Sequence, residues 1–208
     1  MSYDKSLIAH KLIRWEKAVA GFSLPLWENI PDIGLYMDQV LVLLSQYLGL
    51  ISPADGKETE EDAEPAEAKI FSASAVNNYV RLKIMPAPVK RKYYRVHIAY
   101  LIIIFTLKQA VSINIVKEML SNEMPEESLQ ELYSDYVRKH HEATILFTNI
   151  VRECAKDVLD PEKDGENIVS SFVIQEALIA GFSRVITEKL VNLKGKGFDE
   201  VVQIETPQ

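Results

Sequence analysis

The sequence predicts a mainly α-helical protein with one small β-hairpin. Only 8 of the 208 residues are glycine, and long stretches repeat their apolar residues with the period of a helix that has one buried face. With 48% hydrophobic and 25% charged residues, the composition is that of a globular protein. Prolines interrupt the helical pattern at residues 25–31 and again at residues 86–88, so the helices are expected on either side of these segments.

The amino-terminal quarter predicts two helices. Residues 6–20 form an amphipathic pattern, and the proline-containing segment 22–33 should be irregular, with Trp27 as a packing anchor. Residues 35–48 predict a second, strongly apolar helix that ends at Gly49. The acidic insert, residues 53–67, follows with almost no apolar side chain to bury and is expected to be a solvated loop.

The middle of the chain predicts three more helices around a basic hairpin. Ser72 is a good N-cap for a short helix that runs to about Arg81. Prolines forbid a helix at 86–88, and the run at 90–94 predicts a turn or small hairpin. The next helix, from Val96, is apolar almost all round and should be central, and Ser112 opens another short helix through Leu120.

The last 80 residues predict two long helices. The first carries a heptad seam, a surface line expected to be buried, and the second (168–191) is apolar on most sides and should pack against more than one neighbour. Together they form a hairpin that either dimerises with a second copy or completes a bundle within one chain. We therefore divide the chain into an amino-terminal domain, 1–121, and a carboxy-terminal helical region, 122–208. The predicted seam consists of Leu129, Tyr133, Tyr136, His140, Ala143, Phe147, Ile150 and Cys154.

Charge is distributed unevenly along this acidic chain. The net charge is −7, yet the stretch from Lys69 to Lys117 contains no Asp or Glu. A block of this kind, centred on a turn, is typical of a surface that meets phosphates, although a basic run is often only a solvated face. The nine cations of the stretch are Lys69, Arg81, Lys83, Lys90, Arg91, Lys92, Arg95, Lys108 and Lys117.

The order of elements here resembles the winged helix-turn-helix of MerR-type transcription regulators, over about 50 residues. A short capped helix is followed by a hydrophobic turn ending in Pro86, a basic hairpin ending in tyrosine, and two further helices. The residues that carry this resemblance are Ser74, Val76, Tyr79, Leu82, Ile84, Met85, Pro86, Lys92, Tyr93, Tyr94, Ile98 and Leu101, with 111–115 similar to the start of a fourth helix.

The whole chain also resembles the uncharacterised YkrK-like family of bacterial proteins, through residues 35–40, 76–80 and 97–101. That resemblance implies a MerR-like DNA-binding portion and supplies no known activity. The complete expectation is a mainly α fold: a MerR-like winged helix-turn-helix with a small β wing, followed by a carboxy-terminal helical hairpin or bundle.

Such a fold predicts double-stranded DNA as the partner. Asn and Arg side chains on a recognition helix read base edges in the major groove, so Asn77, Asn78 and Arg81 are the candidates for base reading. The alternatives are that the asparagines are ordinary surface residues of a short helix and that Tyr79 is a core residue with a satisfied hydroxyl. Phosphate contacts are expected from residues around the helix and the wing: Ser74, Tyr79, Lys83, Lys90, Arg91, Lys92 and Arg95.

Other classes of protein receive little support from the sequence. His140, His141 and Glu142 are adjacent, and neighbours on a helix point about 100° apart, so they do not converge on a metal. The single cysteine, Cys154, cannot form an internal disulfide, and the longest apolar run, 99–106, is too short to span a membrane. We expect a cytoplasmic protein that is not an enzyme and has no cofactor, metal or membrane partner.

Two functions remain open on the sequence alone. The first is a DNA-binding transcriptional regulator of unknown target, whose carboxy-terminal helices dimerise or hold an unidentified small-molecule effector. The second is a protein-interaction module that retains a winged-helix core without binding DNA. The first requires Asn77, Arg81, Lys90, Arg91 and Lys92 to be exposed together on one face, and several of them buried or dispersed would favour the second.

Overall fold

A computed structural model describes residues 4–51 and 71–197 of the chain. The acidic insert, 53–67, and Lys69 lie outside the described residues, so the expectation of a solvated loop stays a prediction. Within the described residues the protein is mainly helical, with seven α-helices. The mainly α fold class is therefore confirmed.

The first two helices begin and end close to their predicted bounds. Helix α1 spans Lys5–Ala20, and the Asp4 side chain caps it by accepting a hydrogen bond from the Leu7 N–H (2.8 Å). Helix α2 spans Met37–Leu48. A 3₁₀ turn, Trp27–Asn29, lies between them in the proline-containing segment, and its Trp27 is buried as predicted.

Three shorter helices follow, and the predicted caps form. Helix α3 spans Ala73–Arg81, and Ser72 Oγ accepts from the Ala75 N–H (3.2 Å). Helix α4 spans Arg95–Leu107. Helix α5 spans Ile113–Met119, and Ser112 Oγ accepts from the Ile115 N–H (3.4 Å).

Two long helices complete the described chain. Helix α6 spans Glu126–Leu159 and helix α7 spans Gly165–Asn192. The segment between them is short, and the Asp164 side chain caps α7 by accepting from the N–H groups of Glu166 and Asn167. The predicted pair of long helices is confirmed, and a connection this short turns the chain back along α6.

The main core surrounds α4, which is buried along most of its length as its all-round apolar pattern predicts. Helices α2, α3, α5 and the first part of α6 pack against it. The Tyr133 hydroxyl of α6 donates to the Pro25 carbonyl (2.8 Å), which ties the irregular segment to this core. Buried residues of the cluster extend from Leu24 to Tyr133, with Val137 packed at its margin.

A second, smaller cluster joins the two ends of the chain. Ala9 and Leu12 of α1 pack against Val151 and Val158 near the end of α6, together with Val169 of α7. Two polar contacts reinforce this arrangement: Glu16 pairs with Arg152, and Lys5 Nζ donates to the Lys163 carbonyl (2.8 Å). Helix α1 therefore packs with the carboxy-terminal helices rather than with the main core.

The β wing does not form as a pair of strands. Among the described residues there is no β-strand, only two isolated antiparallel bridges, Val89 with Lys92 and Leu35 with Tyr93. Val89 and Lys92 exchange both backbone hydrogen bonds, so the next hydrogen-bonded pair of a ladder would be Ala87 with Tyr94. The Ala87 carbonyl and the Tyr94 N–H instead bond the His97 ring, and the ladder stops at one bridge. The basic segment is a tight turn, and Tyr93 then pairs with the segment that precedes α2.

The heptad seam predicted on α6 is wrong at Ala143 and Phe147, in its second half. Leu129, Tyr133 and Cys154 are buried, but Ala143 is exposed and Phe147 is 44% exposed. The buried positions of α6 advance by about 3.6 residues per turn instead of 3.5, so the inner line falls one position later than the predicted seam after His140. The inner line consists of Leu129, Tyr133, Val137, His140, Thr144, Thr148, Val151, Ala155 and Val158.

Helix α7 was expected to be buried on several sides, and this was also wrong. Its buried residues, Gly165 and Val169, lie in the first turns, and the helix also contacts α5, while most of its large apolar side chains face outward. By length and composition alone, α7 is a helix that a membrane could accommodate, and it is the one such helix in the described part of the chain.

Candidate nucleic-acid interface

The outward face of α3 carries four of the predicted contact residues. Val76 and Tyr79 turn into the main core, which leaves the opposite side of this short helix to solvent. Asn78 is half-buried because its Oδ1 accepts a hydrogen bond from the Arg81 guanidinium (2.6 Å). The helix therefore presents a polar, cationic strip of Ser74, Asn77, Asn78 and Arg81.

Helix α3 ends in a Schellman-type turn built on a lysine. The Ile84 N–H donates to the Tyr79 carbonyl and the Lys83 N–H to the Val80 carbonyl, both at 3.0 Å. Lys83 takes the left-handed conformation, with φ of 56°, in the position where glycine is usual. Its exposed side chain extends the cationic strip beyond the end of the helix.

The basic turn repeats this unusual backbone at two consecutive residues. Val89 and Lys92 exchange both backbone hydrogen bonds (2.9 and 3.0 Å), with Lys90 and Arg91 between them. Their φ angles are 49° and 65°, the pattern of a type I′ turn, in which Asn-Gly is the favoured pair. Both side chains are exposed at the tip of the turn.

Lys92 is held against the base of the turn. Its ammonium group lies 5.4 Å from the centre of the Tyr36 ring, at cation–π distance. Its aliphatic stem passes so close to Gly34 that a Cβ there would lie 2.7 Å from the Lys92 Cδ. Glycine is thus required at position 34, and Lys92 is only half exposed.

Two of the predicted phosphate contacts face the protein instead. Tyr79 is 1% exposed and packs edge-on against Phe105, which agrees with the core interpretation. Its buried hydroxyl has no hydrogen-bond partner among the described residues, so the satisfied hydroxyl of that interpretation is not found. Arg95 donates from Nε to the Ile30 carbonyl (3.0 Å), approaches Asp32 at 3.8 Å and stacks over Trp27. Because Arg95 lies in the first turn of α4, its side chain reaches back to the amino-terminal segment and holds that segment against the helix.

His97 supports the basic turn from beneath. The Tyr94 N–H donates to its Nδ1, and its Nε2 lies 3.0 Å from the Ala87 carbonyl. This pair of contacts requires a neutral ring with the proton on Nε2. Burial accordingly lowers the pKa of His97 below its ordinary value of 6.5. The place of His97 directly after the basic run predicts such a supporting role, whereas Gly34 gives no signal in the sequence, because it acts through backbone geometry.

The electrostatics of the site follow from its local sequence. No Asp or Glu occurs between Phe71 and Lys117. Among the ion pairs in the described part of the chain, Arg95–Asp32 is the one that engages a predicted contact residue. The cations that remain outward are Arg81, Lys83, Lys90 and Arg91, which lie on α3, at its end and on the turn.

The other chemically suggestive residues are occupied structurally. His140 packs against Phe22 with ring centres 5.3 Å apart, and burial lowers its pKa, whereas its neighbour His141 is exposed. Burial raises the pKa of the Cys154 thiol, which disfavours the reactive thiolate. Across the described residues, no three His, Cys, Asp or Glu side chains are grouped to hold a metal ion.

The protein is thus mainly helical, with exposed basic side chains on a short helix and a tight turn, in a stretch of sequence that contributes no acidic side chain. A family model described as a domain of unknown function, DUF1836, matches residues 25–136, more than half of the chain. The chain belongs to this family. The matched region coincides closely with the main core, whose buried residues run from Leu24 to Tyr133. No curated protein and no solved structure matches the chain.

Proposed function

We propose that the protein is a cytoplasmic DNA-binding regulator that uses the outward face of α3 and the basic turn on duplex DNA. In this proposal α3 acts as a recognition helix, Asn77 and Arg81 contact base edges, and the turn acts as a short wing. The proposal assigns no catalytic chemistry to the protein. The MerR-like arrangement belongs to this proposal and rests on element order.

The observation that carries the proposal is the chemistry of the left-handed residues. In the described part of the chain, all non-glycine residues with positive φ are basic: Lys83, Lys90 and Arg91. A left-handed conformation costs a residue with a Cβ roughly 1–2 kcal/mol. Glycine or asparagine would remove much of that cost, so the retention of three cations favours a role for their charges.

Three further observations support phosphate as the target of those charges. The cations flank an exposed strip of amide and hydroxyl groups on α3, which is the mixture that DNA-reading helices present. No carboxylate from residues 71–117 competes with a phosphate. Gly34 and His97 hold the turn in place, which limits the entropy lost on binding.

The test is DNA binding by the wild type and a turn variant, Lys90→Asn with Arg91→Gly, measured on genomic fragments at several salt concentrations. If Lys83, Lys90 and Arg91 all meet phosphates, the slope of log affinity against log salt concentration is about −2.7 per protomer, and the variant, which keeps only Lys83, reduces its magnitude to about −0.9. The same variant suits a type I′ turn better, so the protein should be more stable by roughly 1–2 kcal/mol.

A folded, more stable variant with weaker binding to every sequence would support the proposal. Arg81→Ala is the companion variant on α3, and it should reduce discrimination between sequences by more than it reduces affinity for bulk DNA. Wild-type protein that binds no genomic fragment even at low salt would reject DNA binding.

Protein interaction without DNA is the second candidate, and one observation favours it. Ile33, Tyr36 and Val42 expose more than half of their surface beside the basic turn, on the segment that leads into α2 and on α2 itself. Exposed apolar side chains in a group are typical of a protein-binding surface. Rejection of DNA binding by the experiment above would leave this candidate.

A further inference from the structure

Helix α7 carries an apolar stripe that the described chain leaves about half exposed or more, although residues 109–111 border a groove along it. Its members lie on one side of the helix, and each exposes between 45% and 70% of its surface. We call this set the α7 stripe: Ile174, Leu178, Ile179, Phe182, Val185, Ile186 and Leu190.

The stripe is large enough to form a protein interface. Half-exposed aliphatic and aromatic side chains each leave roughly 70–100 Å² of apolar surface to water, so seven of them leave about 500–700 Å². Leu146 on the adjacent α6 is 64% exposed and adds a similar area of apolar surface. A stable dimer buries about 800 Å² on each partner, and the largest apolar patch of an ordinary monomer is about 300–600 Å².

The sequence of the stripe is symmetric about its most exposed member, Phe182, which is 70% exposed. Leu178 and Ile186 lie four residues to either side, and Ile174 and Leu190 lie eight residues to either side. Ile179 and Val185 likewise lie three residues before and after the centre. An antiparallel partner helix related by a twofold axis at Phe182 would therefore meet apolar side chains at each of these positions.

We propose that a second copy of this chain covers the stripe, with the two α7 helices antiparallel across a twofold axis near Phe182. Each copy brings its α6–α7 hairpin, so the assembly is an intermolecular four-helix bundle. This inference is independent of the proposed function, because it concerns the protein without DNA.

The polar residues on the centre line of the stripe fit the same register. Gln175 and Lys189 lie seven residues before and after Phe182. In the antiparallel pair, the Lys189 ammonium of one copy faces the Gln175 carboxamide of the other and can donate to its oxygen. A buried polar pair of this kind fixes register in helical assemblies, and a parallel pair would instead place two lysines together.

A lipid bilayer is a poorer occupant than a second copy. Glu176 lies in the middle of α7, with one carboxylate oxygen buried and without a hydrogen-bond partner, and Arg184 pairs with Glu188 at 3.5 Å on the same helix. A charge at the centre of a spanning helix, where Glu176 would lie, opposes insertion by about 2.5–3.5 kcal/mol. The end of α7 is also tied down, because Lys194 Nζ donates to the Glu118 carbonyl (2.8 Å).

Two longer segments of the chain lie outside the described residues. Residues 52–70 contain one large apolar side chain, Ile70, and residues 198–208 contain four, Phe198, Val201, Val202 and Ile204. Neither segment matches the seven apolar side chains of the stripe, which favours a partner from outside the chain.

The test is the oligomeric state of the full chain without DNA, by sedimentation equilibrium across a wide concentration range. The wild type should be a dimer, and Phe182→Glu should weaken dimerisation by at least about 100-fold, because a charge would be buried at the axis. Phe182→Leu is the matched control and should remain dimeric. Circular dichroism verifies that each variant is folded.

A second pair of variants tests the register and does not depend on Phe182. Gln175→Glu places a carboxylate opposite Lys189 and should tighten the dimer, whereas Gln175→Lys should loosen it by about tenfold. A strictly monomeric wild type at all concentrations would overturn the proposal. So would wild-type protein that binds lipid vesicles of mixed zwitterionic and anionic composition through Phe182 while staying monomeric.

Discussion

At the scale of single residues, the basic surface depends on groups that do not themselves face outward. His97 joins the Ala87 carbonyl to the Tyr94 N–H, and so connects the segment before the turn to the start of α4. Gly34 admits the Lys92 side chain at a distance that no Cβ would permit. The position of the exposed cations therefore depends on buried, uncharged contacts.

His97 makes the stability of the fold dependent on pH. Burial lowers its folded-state pKa below 6.5, so as the pH falls through about 6.5 the unfolded chain takes up the proton first. We expect the contribution of His97 to the free energy of unfolding to be complete above pH 6.5 and to decrease below it. Urea unfolding at pH 7.5 and pH 5.5 measures this decrease, which should be smaller in His97→Gln.

His140 is the appropriate comparison, since burial lowers its pKa as well. Replacing His140 with Gln should remove only its own share of the pH dependence. Equal pH dependence in the wild type and in both variants would show that neither ring titrates differently in the folded and unfolded states.

At the scale of the elements, helix α6 shows how a heptad pattern of 3.5 residues per turn diverges from the α-helical repeat of 3.6 residues per turn. The two patterns agree at Leu129 and Tyr133 and separate by one residue from mid-helix, so that Thr144 and Thr148 point inward where Ala143 and Phe147 were expected. A difference of about 20° per heptad is enough to move a side chain from the interior to the rim.

The stability cost of truncating a side chain on α6 should depend on whether it lies on the observed buried line, not on its position in the predicted heptad seam. Leu129→Ala removes a fully buried side chain and should cost about 2–5 kcal/mol, whereas Phe147→Ala, at 44% exposure, should cost less than about 2 kcal/mol. Chemical denaturation of the two variants measures both. A cost for Phe147→Ala equal to that for Leu129→Ala would mean that Phe147 is covered in solution.

At the scale of the whole molecule, the protein consists of two packed clusters that α6 connects. The main core surrounds α4, while the second cluster joins α1 to the end of α6 and the start of α7. The family match, 25–136, covers the first cluster and leaves out the second. The predicted division at residue 121 stays a prediction, although the main core continues into α6 as far as Tyr133 and its margin at Val137.

This arrangement predicts that the main core folds without the terminal helices. A fragment of residues 22–139 retains every buried residue of the main cluster and should unfold cooperatively when heated, as followed by circular dichroism. The same fragment with Ile102→Asp, which buries an unpaired charge in α4, is the control and should not fold. A broad, non-cooperative transition in the unmodified fragment would mean that α1 and α7 are needed for the core.

The sequence by itself determined the helices, their caps and the central place of α4, because these depend on local periodicity and on side chains within four residues. It also determined the charge of the basic surface, since no acidic residue falls between Phe71 and Lys117. Only the tertiary structure decided which side chains face outward. It turned Tyr79 and Arg95 inward, paired Tyr93 with Leu35, and left the apolar face of α7 uncovered. The left-handed backbone at Lys83, Lys90 and Arg91 was equally invisible in the sequence, because lysine and arginine give no local signal for positive φ and only the surrounding contacts impose it.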